Sequence, residues 1–473
     1  ELTKTETIDT MDAIGSAIRI DARGPEVLRV LPRLNEEVNE EWLSDKSRFS
    51  CDGLKRQRLD RPYVRVAGKL READWSEAFA AIARKLTGLD GSRIAAIAGD
   101  QADCESMLLL KEFLVSLGSE NVDCRQDGAA LDGSNRSSYI FNSTLAGVEQ
   151  ADALLLIGTN PRREAPVLNA RIRKRWLAGN FPVGVIGASA DLTYNTQNLG
   201  RSAKALADLA EGRHPFAEVL KSAKKPMMIV GQGALTGAGG AAVLAAAQAM
   251  AESLGFIKEG WNGFNVLHTA AARVGGLDVG FVPGAKGKSV AGILEAASSG
   301  ALDVVYLLAA DEIDTSKLGN AFVIYQGHHG DKGAHRADVI LPGSAYTEKS
   351  ATYVNTEGRA QHTHRAIFAP GDAREDWTII RALSEAVGKK LPYDSLVAVR
   401  KRLAAVNPSF AKIGSVVPAT WAKSSASGAL SDVALMSPIA NFYQTDPISR
   451  ASPTMAQCTA LHAGGAERTG THG

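Results

Sequence analysis

The sequence predicts an α/β protein in which a small β-rich N-terminal region leads into two doubly wound parallel-sheet domains and an extended C-terminal tail. Three observations carry this reading. The short apolar runs Ile94–Ala98, Ala153–Ile157, Val183–Ile186, Met227–Val230, Val304–Leu308, Phe322–Tyr325 and Val339–Leu341 each end near Gly, Asn or Pro, as strands buried on both faces do. Helix-length segments such as Cys104–Leu117, Ala165–Leu177 and Gly240–Leu254 lie between such runs, which implies right-handed βαβ units with helices on both sides of each sheet. From about residue 405 Ser, Ala and Pro dominate and periodicity disappears.

At the N-terminus, Ala17–Leu31 reads as two short strands around Gly24-Pro25. Asp74 is placed to cap a helix whose apolar positions Trp75, Ala78, Phe79, Ile82 and Leu86 recur at helical spacing. Trp377–Leu391 reads as one more helix. The expected organisation is a β-rich region at 1–60, a first α/β domain at 61–195 completed by 340–390, a second at 215–340, and a C-terminal segment and tail at 391–473.

Composition narrows the function classes. With 53 Lys and Arg against 52 Asp and Glu, the formal charge of +1 gives no overall field for nucleic acid or an anionic membrane, so partners are recognised locally. Cys51, Cys104, Cys124 and Cys458 form no CxxC pair, which argues against a disulfide framework or a self-contained zinc or iron–sulfur site and for reduced thiols. The longest apolar candidate, Gly237–Ala251, is mostly Gly and Ala and includes Gln248, so no membrane span is expected. The start at Glu1, without an initiator Met or signal pattern, suggests a piece of something longer.

Three groups of residues invite a functional reading. Gly231-Gln232-Gly233 follows an apolar strand and precedes a helix, the setting of a phosphate-cradling turn. Thr236 stands where a third glycine is wanted, so a tight strand–helix turn is preferred. His328, His329 and His335 with Asp331 follow the strand Phe322–Tyr325, but adjacent histidines on an extended loop point to opposite sides, which favours a hydrogen-bonded loop over a metal site. The basic runs Lys55–Arg58 and Arg171–Arg175 fit solvated faces or intrachain ion pairs better than an anion site. No catalytic triad or carboxylate pair emerges from spacing.

The tract Ala337-Asp338-Val339-Ile340-Leu341-Pro342, followed by Glu348, Thr352, Asn355, Glu357, Gly358 and Arg359, resembles the ADVVLP strand and E-x-x-x-T-x-x-N-x-E-G-R turn of the molybdopterin oxidoreductases. Within that superfamily, the segments ELTKTETIDTMDAIGSAIR, NEEWLSDKSRF, DGLKRQRL, IGTNPRREAPVLNARIRK, YQGHHGDKGAHRADVILP and TDPISRASPTMAQC resemble the large, 75-kDa-type or G-type iron–sulfur subunit of respiratory complex I. The likeness runs from Leu2 to Cys458 and implies two sheet domains of molybdopterin-oxidoreductase type.

Departures from the molybdenum enzymes shape the expected role. Positions equivalent to their cluster-binding cysteines are Ile8, Met11 and Gly15, with only Cys51 remaining, and one thiolate cannot hold a cubane. The position of their metal ligand falls at Ala129, with Cys124 or Asp127 as substitutes only if the loop shifts. The resemblance therefore implies a chain with no catalytic, cofactor-binding or metal-binding residues of its own. The 4Fe-4S and 2Fe-2S clusters are expected in an absent N-terminal half. It further implies a structural and subunit-docking role in NADH:quinone oxidoreductase, beside flavin-bearing NADH-oxidising partners. The location implied is the cytoplasmic side of a bacterial inner membrane or the matrix side of the mitochondrial one. An active formate-dehydrogenase-type molybdopterin enzyme and a stand-alone nucleotide-binding protein using Gly231, Gly233 and His328–His335 are the competing readings.

Overall fold

In a computed structural model, which describes residues 1–463, β1 (Thr3–Ile8) pairs antiparallel with β2 (Ala17–Arg23), and Gly24, at φ 58°, turns the chain into β3 (Glu26–Pro32). This three-stranded sheet matches the expected β-rich start. Its apolar side chains, Ile18, Ile20 and Val30, do not close a core alone; they pack with Tyr346 and Ile448 from distant parts of the chain. The N-terminal region is therefore seated on the rest of the protein.

The chain next forms the hairpin β4 (Tyr63–Val66) and β5 (Lys69–Glu72), then a helix over Trp75–Leu86 whose first turn is held by Asp74, its side chain accepting from the Glu77 amide. The strand β6 (Ile94–Ala98), the helix Cys104–Ser116 and the short β7 (Val122–Asp123) follow. A second sheet is then built from β8 (Ala153–Ile157), β9 (Val183–Ile186), β10 (Gln197–Gly200) and β11 (Pro226–Gly231). After the small hairpin β12 (Ile257–Lys258) and β13 (Trp261–Asn262), β14 (Phe264–Leu267) completes it. The chain returns to the first sheet with β15 (Val304–Leu308), β16 (Phe322–Gly327) and β17 (Val339–Pro342), and a last hairpin joins β18 (Thr352–Val354) to β19 (Ala360–His362).

The strand orders are β5-β4-β17-β16-β15-β6-β7 and β10-β9-β8-β11-β14. Apart from the β4–β5 edge the pairings are parallel, so the doubly wound expectation holds. The division of the chain differs from the expected 61–195 and 215–340. β8 and β9 belong to the sheet of β11, which pairs with β8, and not to that of β6, whereas β15 and β16 belong to the sheet of β6, which pairs with β15, and not to that of β11. The whole second sheet is an excursion between β7 and β15 of the first. Apolar runs mark strands equally well in either sheet, so sequence order alone does not assign them.

In each sheet the winding direction reverses once, between β6 and β15 in the first and between β8 and β11 in the second. Ligand crevices of open α/β sheets lie outside the carboxyl ends of strands at such points. The tail also differs from a free extension. Residues 396–406 are helical, 412–446 run irregularly across the surface, and Pro447–Ala451 and Pro453–Ala463 are helices again; the last ten residues of the expected tail, 464–473, lie outside the described residues.

Candidate functional site

The charged residues of the tract after β17 are all engaged within the protein. Glu348 receives both guanidinium nitrogens of Arg58, at 2.5 and 2.6 Å, and the Ala345 amide at 3.0 Å. Thr352 bonds Glu105 through its amide and its hydroxyl, at 2.8 and 2.6 Å. Glu357 accepts from the Leu145 amide and from Arg359 Nε, at 2.8 and 2.7 Å, while Asn355 donates to the Ile14 carbonyl at 2.9 Å. These bonds reach the N-terminal region and both sheets. Such charge-assisted, buried contacts fix geometry and leave no free donor set for a ligand.

The loop Asp9–Ser16 lies between β1 and β2 over the junction of the two sheets. Ile8 and Met11 are buried, Met11 Sδ receives Gln101 Nε2 at 3.5 Å, and the Gly15 carbonyl receives Gln361 Nε2 at 2.9 Å. Between these positions stand two buried carboxylates. Asp9 accepts from Ser47 Oγ at 2.6 Å and from the Met11 amide at 3.1 Å; burial, and then the neighbouring Asp12, push its carboxyl up to about 7. Burial raises Asp12 as well, against the pull of Lys46, whose ammonium donates to Thr445 at 2.7 Å. A cavity of about 40 Å³ opens beside this group, lined by Thr10, Met11, Lys46, Asp100, Gln101 and Asp446 among others. It has room for a few waters at most.

Cys124 and Ala129 are buried, and burial pushes the Cys124 thiol up to about 12, so it is a poor thiolate. Asp127 is held by Arg273 Nη2 at 2.9 Å. Cys51 is half-buried and its thiol is raised by burial and by Asp52.

Gly231 and Gly233 lie at the carboxyl end of β11, where a ligand crevice belongs. The space outside Gly233 holds the Met436 carbonyl, into which a Cβ at this glycine would run. In the histidine loop, His328 and His329 share a 2.6 Å contact between their Nδ1 atoms, and His329 Nε2 lies 2.9 Å from the Gly53 carbonyl. His329 therefore donates through Nε2, and His328 donates to its unprotonated Nδ1. Burial lowers both, His329 to about 4, and both rings are neutral. Asp331 pairs with Arg450 at 2.6 Å. Among the described residues no group of three or more His, Cys, Asp and Glu side chains is placed to hold a metal.

The basic runs are mostly solvated and paired within the chain, with Arg58 and Arg171 turned inward. Lys55 pairs with Glu26 at 2.5 Å, and Lys174 with Glu40 at 2.5 Å. Arg171, 2% exposed, donates to the Glu36 carbonyl at 2.7 Å. Asp9, Asp12 and Lys46 are buried ionisable groups of this loop and its surroundings that sequence reasoning missed. The only signal was that Asp9 and Asp12 bracket Met11, in a loop already singled out for its lost cysteines.

A family model described as molybdopterin oxidoreductase matches residues 58–386, and one described as the NADH-ubiquinone oxidoreductase NDSU1/NuoG-like 4Fe-4S domain matches 2–52. A third, for the C-terminal region of the G-type subunit of NADH-ubiquinone oxidoreductase, matches 407–458. The chain is 47% identical over 466 residues to the NADH dehydrogenase (ubiquinone) iron-sulfur protein 1 of Solanum tuberosum, covering 98% of this chain and 62% of that protein. Against the NADH-ubiquinone oxidoreductase 75 kDa subunit of Reclinomonas americana it is 45% identical, covering 98% of this chain and 69% of that protein. This chain belongs to the 75-kDa, or G-type, subunit family of complex I. It is also 46% identical to the G-type subunit of the NADH-quinone oxidoreductase of Rickettsia bellii, over 97% of this chain and 66% of that one. The chain thus spans about two thirds of the length of these relatives. Acetylene hydratase from Pelobacter acetylenicus shares the fold, with a TM-score of 0.62, 12% identity and coverage of 86% and 72% of the two chains.

Membership in the complex I family sets aside the formate-dehydrogenase reading, and it corrects one expectation. The sequence reading places the iron–sulfur portion of the subunit wholly outside this chain, yet the 4Fe-4S domain of the family lies within it, at residues 2–52. Cysteine spacing does not reveal that domain, because Cys51 is the one cysteine among residues 2–52. The residues present there do not fit a cubane by themselves: Cys51 is the single thiol in that span, Ile8, Met11 and Gly15 offer no ligand, and the adjoining cavity is about 40 Å³.

Proposed function

We propose that this chain is the structural and subunit-docking portion of the peripheral arm of a respiratory NADH:quinone oxidoreductase, supporting electron transfer from NADH to quinone without contributing a catalytic residue. The observation that carries the reading is the internal engagement of the signature tract: Thr352 bonds Glu105 on a helix of the first sheet, Glu357 takes the Leu145 amide ahead of the second sheet, and Asn355 donates to the Ile14 carbonyl of the N-terminal region, which holds the three in one frame. Its partners are the other subunits of that complex, including the flavin-bearing NADH-oxidising ones, and its place is the cytoplasmic side of a bacterial inner membrane or the matrix side of the mitochondrial one. Among the described residues no helix is long and apolar enough to cross a membrane. Large apolar side chains stand exposed within a short stretch of the N-terminal region, Leu28 at 41%, Leu34 at 67%, Trp42 at 54% and Phe49 at 51%, as a docked surface requires.

Two measurements test this. The purified chain is expected to contain neither molybdenum nor tungsten in stoichiometric amount, and finding either would overturn the structural reading. Mixed with the remaining subunits of the complex, it is expected to co-elute with them on size exclusion, and elution as a free chain would refute docking.

A further inference from the structure

The segment 412–446 forms no helix or strand, yet it is held along its length. Trp421 donates to Glu252 at 2.9 Å and sets its ring edge-on to Phe264 at 5.3 Å between centroids. Further on, the Leu435 amide donates to the Arg201 carbonyl at 2.9 Å, the Leu435 carbonyl receives the Ala188 amide at 3.0 Å, and Ser437 Oγ donates to Glu164 at 2.7 Å. Thr445 takes the Lys46 ammonium, and just beyond the segment Arg450 pairs with Glu312 and Asp331, both at 2.6 Å, on loops of the first sheet.

The place where residues 435–436 rest is specific. Gly187 follows β9 and Gly233 follows β11, on either side of the reversal point of the second sheet. A Cβ at Gly233 would run into the Met436 carbonyl, and one at Gly187, which sits at φ 137°, would come 3.0 Å from the Leu435 carbonyl. The glycines at the edge of this crevice are shaped around the chain's own backbone. That is the position in which doubly wound sheets hold a ligand.

We propose that residues 434–446 are an intramolecular occupant of the second sheet's crevice, a strap that fills the ligand position and latches over the junction of the sheets and the N-terminal region. The inference deepens the structural reading of the chain and rests on it for its biological meaning. Its test does not, because hydrogen exchange is measured on the chain alone, without partner subunits.

The amides of Ala188 and Leu435 report the strap, and that of Ile229 in β11 reports the sheet beneath it. Gly233→Ala places a methyl where the strap's carbonyl lies, and Leu435→Asp sets a charge at a position 7% exposed without altering the sheet. Gly237→Ala, into open space, is the control. Expected is exchange at Ala188 and Leu435 faster by about ten-fold or more relative to Ile229 in both strap variants, as for a locally opened segment, and unchanged in the control. Leu435→Asp keeps the test decisive should Gly233→Ala fail to fold. An unchanged ratio of strap to sheet exchange in the variants that fold would overturn the proposal.

Discussion

The ammonium of Lys349 lies 2.7 Å from Asp103 Oδ2, with the two side chains 6% and 3% exposed. Asp376 stands on its other side at 2.8 Å. Lys349 immediately follows Glu348 of the signature tract, Asp103 caps the helix Cys104–Ser116, and Asp376 opens the helix Asp376–Ala386. A single buried cation thus joins the tract to two helices on the first sheet. Burial disfavours its charge, and the two carboxylates hold it.

Replacing this cation is the first prediction. Lys349→Met keeps the volume and leaves two buried carboxylates unpaired, so the chain is expected to lose about 3–5 kcal/mol. The triple change Lys349→Met, Asp103→Asn, Asp376→Asn removes the stranded charges and should recover a large part of that loss. Urea unfolding of the variants measures both, and an equal loss in the triple variant would show that packing, not charge, is responsible.

The neutral histidine pair predicts a pH slope. His329 titrates at about 4 in the folded chain and at 6.5 in the reference state. Above the reference value both states are neutral and the pair adds no slope. As pH falls below it, the unfolded chain binds protons that the folded chain refuses, and stability drops until the folded value is reached. The interval corresponds to roughly 3 kcal/mol at most for this one ring. Between pH 7 and 4.5 the wild-type chain should lose more stability than His329→Gln. Parallel stability curves for the two proteins would contradict the assignment.

Asp9 acts in the opposite sense. Its carboxyl is raised from 3.8 to about 7 by burial and by Asp12, so the folded chain holds a proton that the unfolded chain releases. That contribution is complete below the reference value and is lost as pH rises through about 7. Asp9→Asn removes the penalty while retaining an acceptor for the Met11 amide, since its side-chain oxygen can replace the carboxylate. At pH 8 the variant should be more stable than wild type by about 1–3 kcal/mol, with the gap closing toward pH 5. A constant gap across that range would assign the effect to something other than this proton.

What could be read from sequence follows the physics of each signal. Ile94–Ala98, Ala153–Ile157, Val183–Ile186 and Val304–Leu308 are strands with the expected bounds, because an apolar run stopped by a turn residue is a local property. β14 escapes such a reading because Asn265 interrupts its apolar run. That side chain is fully buried, donating to the Met228 and Gly263 carbonyls and to Ser143 Oγ, and such satisfaction depends on neighbours distant in sequence. The strap is hidden for the same reason. A Ser- and Ala-rich stretch without period looks loose, but residues 434–437 are held by backbone bonds and by glycines on other elements. At the site, the lost cysteine positions at Ile8, Met11 and Gly15 are readable, whereas the burial of Asp9, Asp12 and Lys46 is not, since charged residues in a loop ordinarily face water.

The glycine of the signature tract gives the last prediction. Gly358 sits at φ 79°, and a Cβ there would come 2.9 Å from Arg136 Nη2. Arg136 is held by Asp278 at 2.8 and 2.9 Å and donates to the Gly358 carbonyl at 2.9 Å. Gly358→Ala therefore has two separable effects, a left-handed backbone costing about 1–2 kcal/mol and displacement of a buried guanidinium. In an Arg136→Ala background the second effect is already gone, so the alanine should then cost only the backbone part. The difference between the two backgrounds is expected to be about 1–3 kcal/mol, the range for residues in contact within one network. Equal losses in both backgrounds would mean that the glycine serves the turn alone and not the seating of Arg136 on Asp278.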